Sequence, residues 1–514
     1  MKFNLLDEPW LPCYDLEGRY VELGIRETLA RAHELKELRD SNPLVTGSLL
    51  RLLIAILHRA VNGPANMNEW TSVWKRGQFE SFKYLEAQQQ RFDLFNSKYP
   101  FYQKSGLVLK KEVEIDKLFI ENKNDETLFY HRESGRSYIP FPLAARQLVT
   151  AQAFSIGFGK SEISDASGKV LYQKNGPLVS GWLNFLVGEN LFETLVLNLL
   201  VYKPERDEPI PAEPQVDCPI WETDGPEPCE RAPRGWLDWL TWQSRMIRLL
   251  GDEHGVYAMY FGPGVSLPAD FEVWDPFWFL KLNSQGERRP VCPRVDRAIW
   301  RDCTSLFSLA QVNTAREERP RAFRQAANAH DLGVLPRRMR KCMLVGLRRD
   351  IKQASKLEAW SCEVLPVPSE FLDGGRENIL SLSTGINISE KAYDVLDKAL
   401  KKYANLQAWN GVKESKPNKD SVKKIRAKLS TFSYWSLLSN QFNLFLGEVV
   451  ANGAGAVPGW SKYVWKVGMD VFDDAMTGVG SRGARTMMAR ARAKAELEEN
   501  LRDLLTEVAE VAQL

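Results

Sequence analysis

The sequence predicts an α+β fold class, with a large irregular mixed α/β domain over residues 1–375 and a C-terminal four-helix bundle over residues 376–514. Three observations predict it. The chain's 514 residues exceed what one core serves at roughly 100–200 residues per domain. Up to about residue 370, short helical runs, β-like stretches and Pro- or Gly-rich connections alternate without an internal repeat. Beyond Ile386 the pattern simplifies to four segments of helical period separated by Gly, Pro or Asn breaks.

In order along the chain, the apolar run Leu49 to Val61 is interrupted by Arg51, His58 and Arg59 and falls short of the ~20 residues of a membrane span. It reads as a core helix, so no membrane is expected as a partner. Pro204 to Pro233 holds eight prolines with clustered Asp and Glu, which predicts an extended surface loop. In the bundle, Tyr393, Leu396, Leu400 and Tyr403 share one face of the first helix. Ile425, Leu429, Phe432, Trp435, Leu438, Phe442 and Phe445 share a face of the second. A Gly/Pro-rich turn from Ala451 to Gly459 leads to a less regular third helix, Lys462 to Met476, and Gly478 to Gly483 separates that from the fourth. There Leu497, Leu501, Leu504, Val508 and Val511 repeat the arrangement, and the short loops predict antiparallel neighbours.

With 68 basic against 66 acidic residues the chain is no polycation, and any nucleic-acid site must be a local patch. Seven cysteines, scattered singly with no secretion signal before Phe3, predict free thiols and a cytoplasmic location.

Catalysis finds little footing. His330-Asp331 resembles the dipeptide of some metal-dependent phosphohydrolases, but His33, His58, His131 and His254 lack ligand spacing relative to it, so it reads as a helix-end pair. Cys218, Cys229, Cys292 and Cys303 never approach Cys-x-x-Cys spacing, though two pairs could converge in space. Gly-x-Ser-x-Gly, the phosphate loop and His-Glu-x-x-His are absent. The expectation is a protein that is not an enzyme, with neither metal nor cofactor; the alternative is a metal-dependent nuclease or phosphohydrolase centred on His330-Asp331.

Positive charge gathers at Arg337-Arg338, Arg340-Lys341 and Arg348-Arg349, and in a lysine series from Lys413 through Lys428. Both could line a phosphate track, and the alternative is a solvated face. The fourth helix opens with Arg482, Arg485, Arg490, Arg492 and Lys494, against the helix dipole, which suggests a bound anion.

The joint order of several motifs resembles, almost end to end, the large subunit of the type I-E CRISPR Cascade complex, the CasA family. The carriers are Phe3-Asn4-Leu5-Leu6-Asp7-Glu8-Pro9-Trp10, similar to the family's opening strand, then Phe92-Asp93-Leu94-Phe95, Tyr99-Pro100-Phe101-Tyr102-Gln103 and Thr127-Leu128-Phe129-Tyr130-His131. The helix Pro142 to Phe154, Gly157-Phe158-Gly159-Lys160, Asp275-Pro276 and Ala298-Ile299-Trp300-Arg301-Asp302 follow. The resemblance implies a non-catalytic subunit with a guide RNA, target double-stranded DNA, other Cascade subunits and a recruited helicase-nuclease as partners; a large subunit of another CRISPR subtype is the nearest alternative.

Residue by residue, Gly157, Phe158, Gly159 and Lys160 match the family's glycine loop, which approaches the minor groove beside the target. Lys352, Gln353 and Ala354 fall where the family carries a glutamine wedge on a hairpin, preceded by Arg348 and Arg349, which can hold flanking phosphates. Phe129, with Asn124 close before it, resembles the tip of a loop that docks on the guide, where an aromatic can stack on a splayed base. The family can also place a lysine near the motif; Leu267-Pro268-Ala269-Asp270 offers none, which leaves open which motif is read.

Overall fold

The computed structural model describes every residue except 81, 124–136, 158, 165–167, 169, 180, 203–209, 211–215, 270, 272–274, 284, 286, 308–318, 351–356, 410–416, 479–482 and 512–514. Two compact units emerge, one of Met1–Arg297 with Leu309–Ser369 and the other of Ala298–Ser308 with Glu370–Leu514.

The first unit gathers small antiparallel sheets around a buried helix. Its N-terminal sheet joins β1 (Leu11–Asp15), β2 (Tyr20–Leu23) and β3 (Leu35–Leu38) with β1 central. The opening segment, expected as a strand, makes only a single bridge from Asn4 to Asp93 before turning. The cause is local competition: Asn4 Oδ1 accepts from the Leu6 amide and Trp10 Nε1 donates to the Leu5 carbonyl, folding Leu5, Leu6 and Trp10 into the core.

Helix α1 (Pro43–Ala60) is started by Asn42, whose side chain accepts from the Leu44 amide, with Pro43 fitting the first turn. It is long and apolar enough by composition to cross a membrane, yet 83% of that stretch is buried in the fold. Arg51, which interrupts the apolar run, is 3% exposed and meets Asp275, 0% exposed, at 2.7 Å. Its remaining donors reach the Trp239 and Leu240 carbonyls, and Trp239 Nε1 donates to the same carboxylate. A buried ion pair survives only when hydrogen-bonded in this way, and this one fixes the Asp275-Pro276 motif against α1.

Helix α2 (Phe141–Phe154) leads into the hairpin of β4 (Lys160–Ser164) and β5 (Val170–Tyr172). A longer hairpin, β7 (Arg245–Asp252) with β8 (Gly255–Pro263), carries the short strand Val113–Glu114 on the outer side of β8. The third sheet joins β6 (Trp182–Val187), β9 (Arg340–Arg349) and β10 (Leu357–Val367) with β9 central. Its register sets Leu344 against Asn184 and Glu363. Helix α1 lies close on this sheet through Gly47, where a Cβ would stand 3.4 Å from Val345 Cγ1. Helix α3 (Arg321–Asp331) precedes β9. The proline-rich stretch is not simply an exposed loop: Ile210 and Trp221 are buried, and Ile220–Glu222 forms a 3-10 turn.

The second unit is helical: α4 (Arg376–Ala408), α5 (Lys419–Arg426), α6 (Phe432–Asn452), α7 (Val457–Thr477) and α8 (Ala484–Val511). The predicted second helix is thus two. Arg426 turns back to the Leu429 carbonyl (2.7 Å) and to Asp397 (2.6 Å), and Thr431 Oγ1 meets Tyr393 Oη at 3.1 Å, so side chains take over where the ladder would run. The restart resets the helical phase. Phe432, predicted on the buried face, is 85% exposed, while Tyr434, Leu438, Phe442 and Phe445 are buried.

The third helix is also longer and more regular than expected, because Pro458 sits in its first turn, where proline is compatible. Gly385 of α4 allows close approach; a Cβ there would stand 2.3 Å from Phe445 Cζ. Trp460 Nε1 donates to the Gly385 carbonyl and Ser389 Oγ, and Tyr434 Oη to the Ser389 carbonyl. From the segment 298–308, Trp300 stacks on Phe442 at 4.7 Å and Arg301 clasps Glu390 with two hydrogen bonds.

Candidate nucleic-acid interface

The glycine loop grows out of the end of α2, and each of its ends is fastened. Gly157 has no room for a side chain: a Cβ would meet the Gln173 carbonyl oxygen at 2.4 Å and the Lys174 carbonyl carbon at 2.7 Å. Its amide donates to Asn175 Oδ1 at 2.9 Å. Glycine here is required by the protein's own backbone. Two residues on, Gly159 has φ +63° and, among the described residues, nothing within 4 Å of its Cβ position, so the left-handed backbone stands clear of them. Phe158 lies outside the described residues, as does the Lys160 side chain, while the Lys160 backbone opens β4 opposite Tyr172.

Beneath the loop is a residue that the sequence pattern did not single out. Arg245, at the start of β7, is fully buried, and its guanidinium donates to the carbonyls of Ser244, Ser155 and Ile156 at 2.8, 3.2 and 3.2 Å. Burial lowers its pKa to about 9. Gln152 of α2 clasps its backbone from both sides, Oε1 accepting from the Arg245 amide and Nε2 donating to the Arg245 carbonyl. Beyond the loop, Ile163 of β4 fills the space left by Gly262 of β8. Lys174 is exposed beside Gly157.

Lys352, Gln353 and Ala354 lie outside the described residues, in the connection between β9 and β10, whose ladder is followed out to the pair Arg349 and Leu357. Arg348 meets Glu358 across the ladder at 2.7 Å, and Arg349 is exposed. Asn124 and Phe129 also lie outside the described residues. Gly157, Gly159, Lys160, Arg348 and Arg349 therefore occupy two separate hairpins of the first unit.

Other basic groups are partly neutralised. Arg337 meets Asp331 at 3.2 Å, Arg338 meets Glu189 and Glu193, and Arg340 is buried, which lowers its pKa. In α8, Arg490 and Lys494 both meet Asp473 of α7, at 3.0 and 2.6 Å, and Arg485 donates to the Leu406 carbonyl, so three of the five basic residues expected to attract an anion have partners inside the unit. Burial opposes ionisation of Asp473, but Lys494 and Arg490 hold its carboxyl below the usual range. Lys419, Lys423, Lys424 and Lys428 are exposed on and just after α5.

His330, read as half of a helix-end pair, is only 2% exposed, while Asp331 faces solvent. Among the described residues no three His, Cys, Asp or Glu side chains come together as a metal site. The cysteine pairs that could have converged do not form one, and all seven thiols are free.

A large mixed α/β unit that carries the glycine loop and the β9–β10 pair, together with a helical unit, defines a two-unit α+β protein. The chain belongs to the family of CRISPR-associated protein Cse1, whose model matches residues 4–471. CasA/Cse1 of Thermus thermophilus is 29% identical over 525 residues, covering 99% of both chains. A crystal structure of Thermus thermophilus CasA superposes with a TM-score of 0.79 and 27% identity, covering 98% of this chain and 100% of that one. Thermobifida fusca Cse1, 24% identical and covering 98% of each chain, shares the fold at a TM-score of 0.80. A chain of a solved CRISPR RNA-guided surveillance complex does so at 0.74, with 18% identity and coverage of 96% and 99%.

Proposed function

We propose that this chain is a non-catalytic large subunit that assembles in the cytoplasm with other Cascade subunits and a guide RNA. It reads a short motif beside the target in double-stranded DNA, helps open the duplex, and presents a surface to a helicase-nuclease. The observation that carries this reading is Gly159: a left-handed, side-chain-free backbone with no described residue within 4 Å of its Cβ position, on a loop whose base is fixed. Such a backbone can come close to base edges in a minor groove, where a Cβ would collide. Lys174 and Arg349, both exposed, are cations that can meet neighbouring phosphates, and Lys160 follows Gly159 in the chain. Gln353, on the β9–β10 connection, supplies the wedge, and Phe129 with Asn124 the contact to the guide.

The test uses the reconstituted complex with Gly159→Asn, which keeps the left-handed backbone but adds bulk, and with Gln353→Ala. Gly159→Asn should abolish preference among guide-matched duplexes with randomised flanks while leaving assembly intact. Gln353→Ala should slow strand opening on intact duplex and matter much less on a target whose first pairs are already mismatched. Unchanged flank preference for Gly159→Asn would overturn motif reading, and equal slowing on both substrates would make Gln353 a general contact.

A further inference from the structure

We propose that Arg245 is the positioning residue of the glycine loop, a buried cation that fixes where the loop's backbone meets its ligand; this rests on the motif-reading role above. Three observations converge. The guanidinium donates to the Ser155 and Ile156 carbonyls, the two residues immediately before Gly157, after α2 has ended at Phe154. Both carbonyls lie just past the end of α2, where the helix dipole favours a cation, and the Ser155 carbonyl also accepts from the Gly176 amide at 2.7 Å, so the guanidinium joins a backbone bond that closes the base of the loop. The side chain is fully buried, and its three hydrogen-bond acceptors among the described residues are backbone oxygens.

Such an arrangement is costly to keep. Taking a guanidinium out of water is unfavourable, as its lowered pKa reflects, and a buried arginine usually has a carboxylate against it. A methionine of similar reach would satisfy packing alone. What methionine cannot do is donate from one nitrogen to two successive carbonyls and so set the direction in which Gly157 leaves the helix. Gln152 completes the device from the helix side: its clasp on the Arg245 backbone couples the last turn of α2 to β7. On the far side Ile163 seats against Gly262, so the exposed Gly159 is suspended between two fixed points. A groove-reading backbone needs that rigidity, since a binding site must be held within about 0.5 Å of its productive geometry.

The experiment compares Arg245→Met and Arg245→Lys with the unaltered protein in two ways. Amide hydrogen exchange of the full chain reports loop order without any DNA. Flank preference of the reconstituted complex, on guide-matched duplexes with randomised flanks, reports discrimination. Arg245→Met should speed exchange at Gly157, Gly159 and Lys160 and lower discrimination roughly tenfold, the equivalent of about one charge-assisted hydrogen bond, with affinity for unfavoured flanks unchanged. Arg245→Lys, which keeps the charge and one donor, should recover part of both. If Arg245→Met does not fold, the folded Arg245→Lys carries the test by the same two readouts. Loop exchange and discrimination both unchanged would overturn the proposal, as would an affinity loss equal for every flank. If Gly159→Asn leaves discrimination intact while Arg245→Met still loosens the loop, positioning stands and the motif-reading role fails. If Gly159→Asn abolishes discrimination and neither Arg245 variant touches it, only the positioning role fails.

Discussion

The two loop glycines carry different burdens and should respond differently to an added side chain. Gly157→Ala drives a Cβ into backbone atoms at 2.4 to 2.9 Å, which no side-chain rotation relieves. About 1–3 kcal/mol of stability should be lost, read by chemical denaturation. Gly159→Asn should cost only a few tenths of a kcal/mol, because asparagine tolerates the left-handed region. Sequence reasoning saw both as one motif. The left-handed φ of Gly159 and the contact partners of Gly157, Gln173 and Lys174 just after β5, separate them.

His58 gives the molecule a pH dependence at the same scale. Buried in α1 with Nε2 against the Leu200 carbonyl, its pKa is lowered by burial to about 4 from 6.5. Between those values the unfolded chain binds more protons than the native one, so stability falls as pH drops from 6.5 toward 4 and the loss levels off below that. The loss from this one group is on the order of 3 kcal/mol. His58→Gln, which keeps a donor but cannot titrate, should show a shallower stability slope than the unaltered protein in denaturation at pH 7 and pH 4.5.

At the scale of elements, α7 and α8 are joined by one carboxylate answering two cations. Asp473→Asn should cost up to about 1 kcal/mol, since the groups are partly exposed, and should release Arg490 and Lys494. The same variant should steepen the salt dependence of any nucleic-acid binding by this unit, measured by titration at two ionic strengths. The helices themselves were legible: Leu396, Leu400, Leu497 and Leu501 recur at helical spacing because each meets the core once per turn. The break before Phe432 was not, because what ends α5 is Asp397, 29 residues upstream of Arg426. Likewise the basic hairpin was visible as arginines, but the engagement of Arg348 by Glu358 depends on strand register, which composition does not carry.

On the scale of the whole molecule, the overall class was readable from the change in pattern near residue 370, whereas the partnership of distant segments was not. Arg51 and Asp275 are 224 positions apart, and neither announces the other. Trp300 appeared only as part of a motif; its place among the aromatics of the second unit follows from the chain's path. Trp300→Ala should therefore destabilise that unit by about 3–5 kcal/mol. Hydrogen exchange should quicken across α6 and α7 and stay unchanged in β1–β3, which would distinguish loss of this packing from global unfolding.

The chain's route through its two units, 1–297, 298–308, 309–369 and 370–514, also sets an order of events on the ribosome. Trp300 leaves the exit tunnel long before Ser439, its hydrogen-bond partner 139 residues later. At roughly 5–20 residues per second that interval lasts on the order of ten seconds or more. For that time a tryptophan and its neighbours stand without their nest, while β9 and β10 are still completing the sheet begun by β6. A nascent chain paused before α6 would present a holdase with one short aromatic segment, and the last helices synthesised would release it.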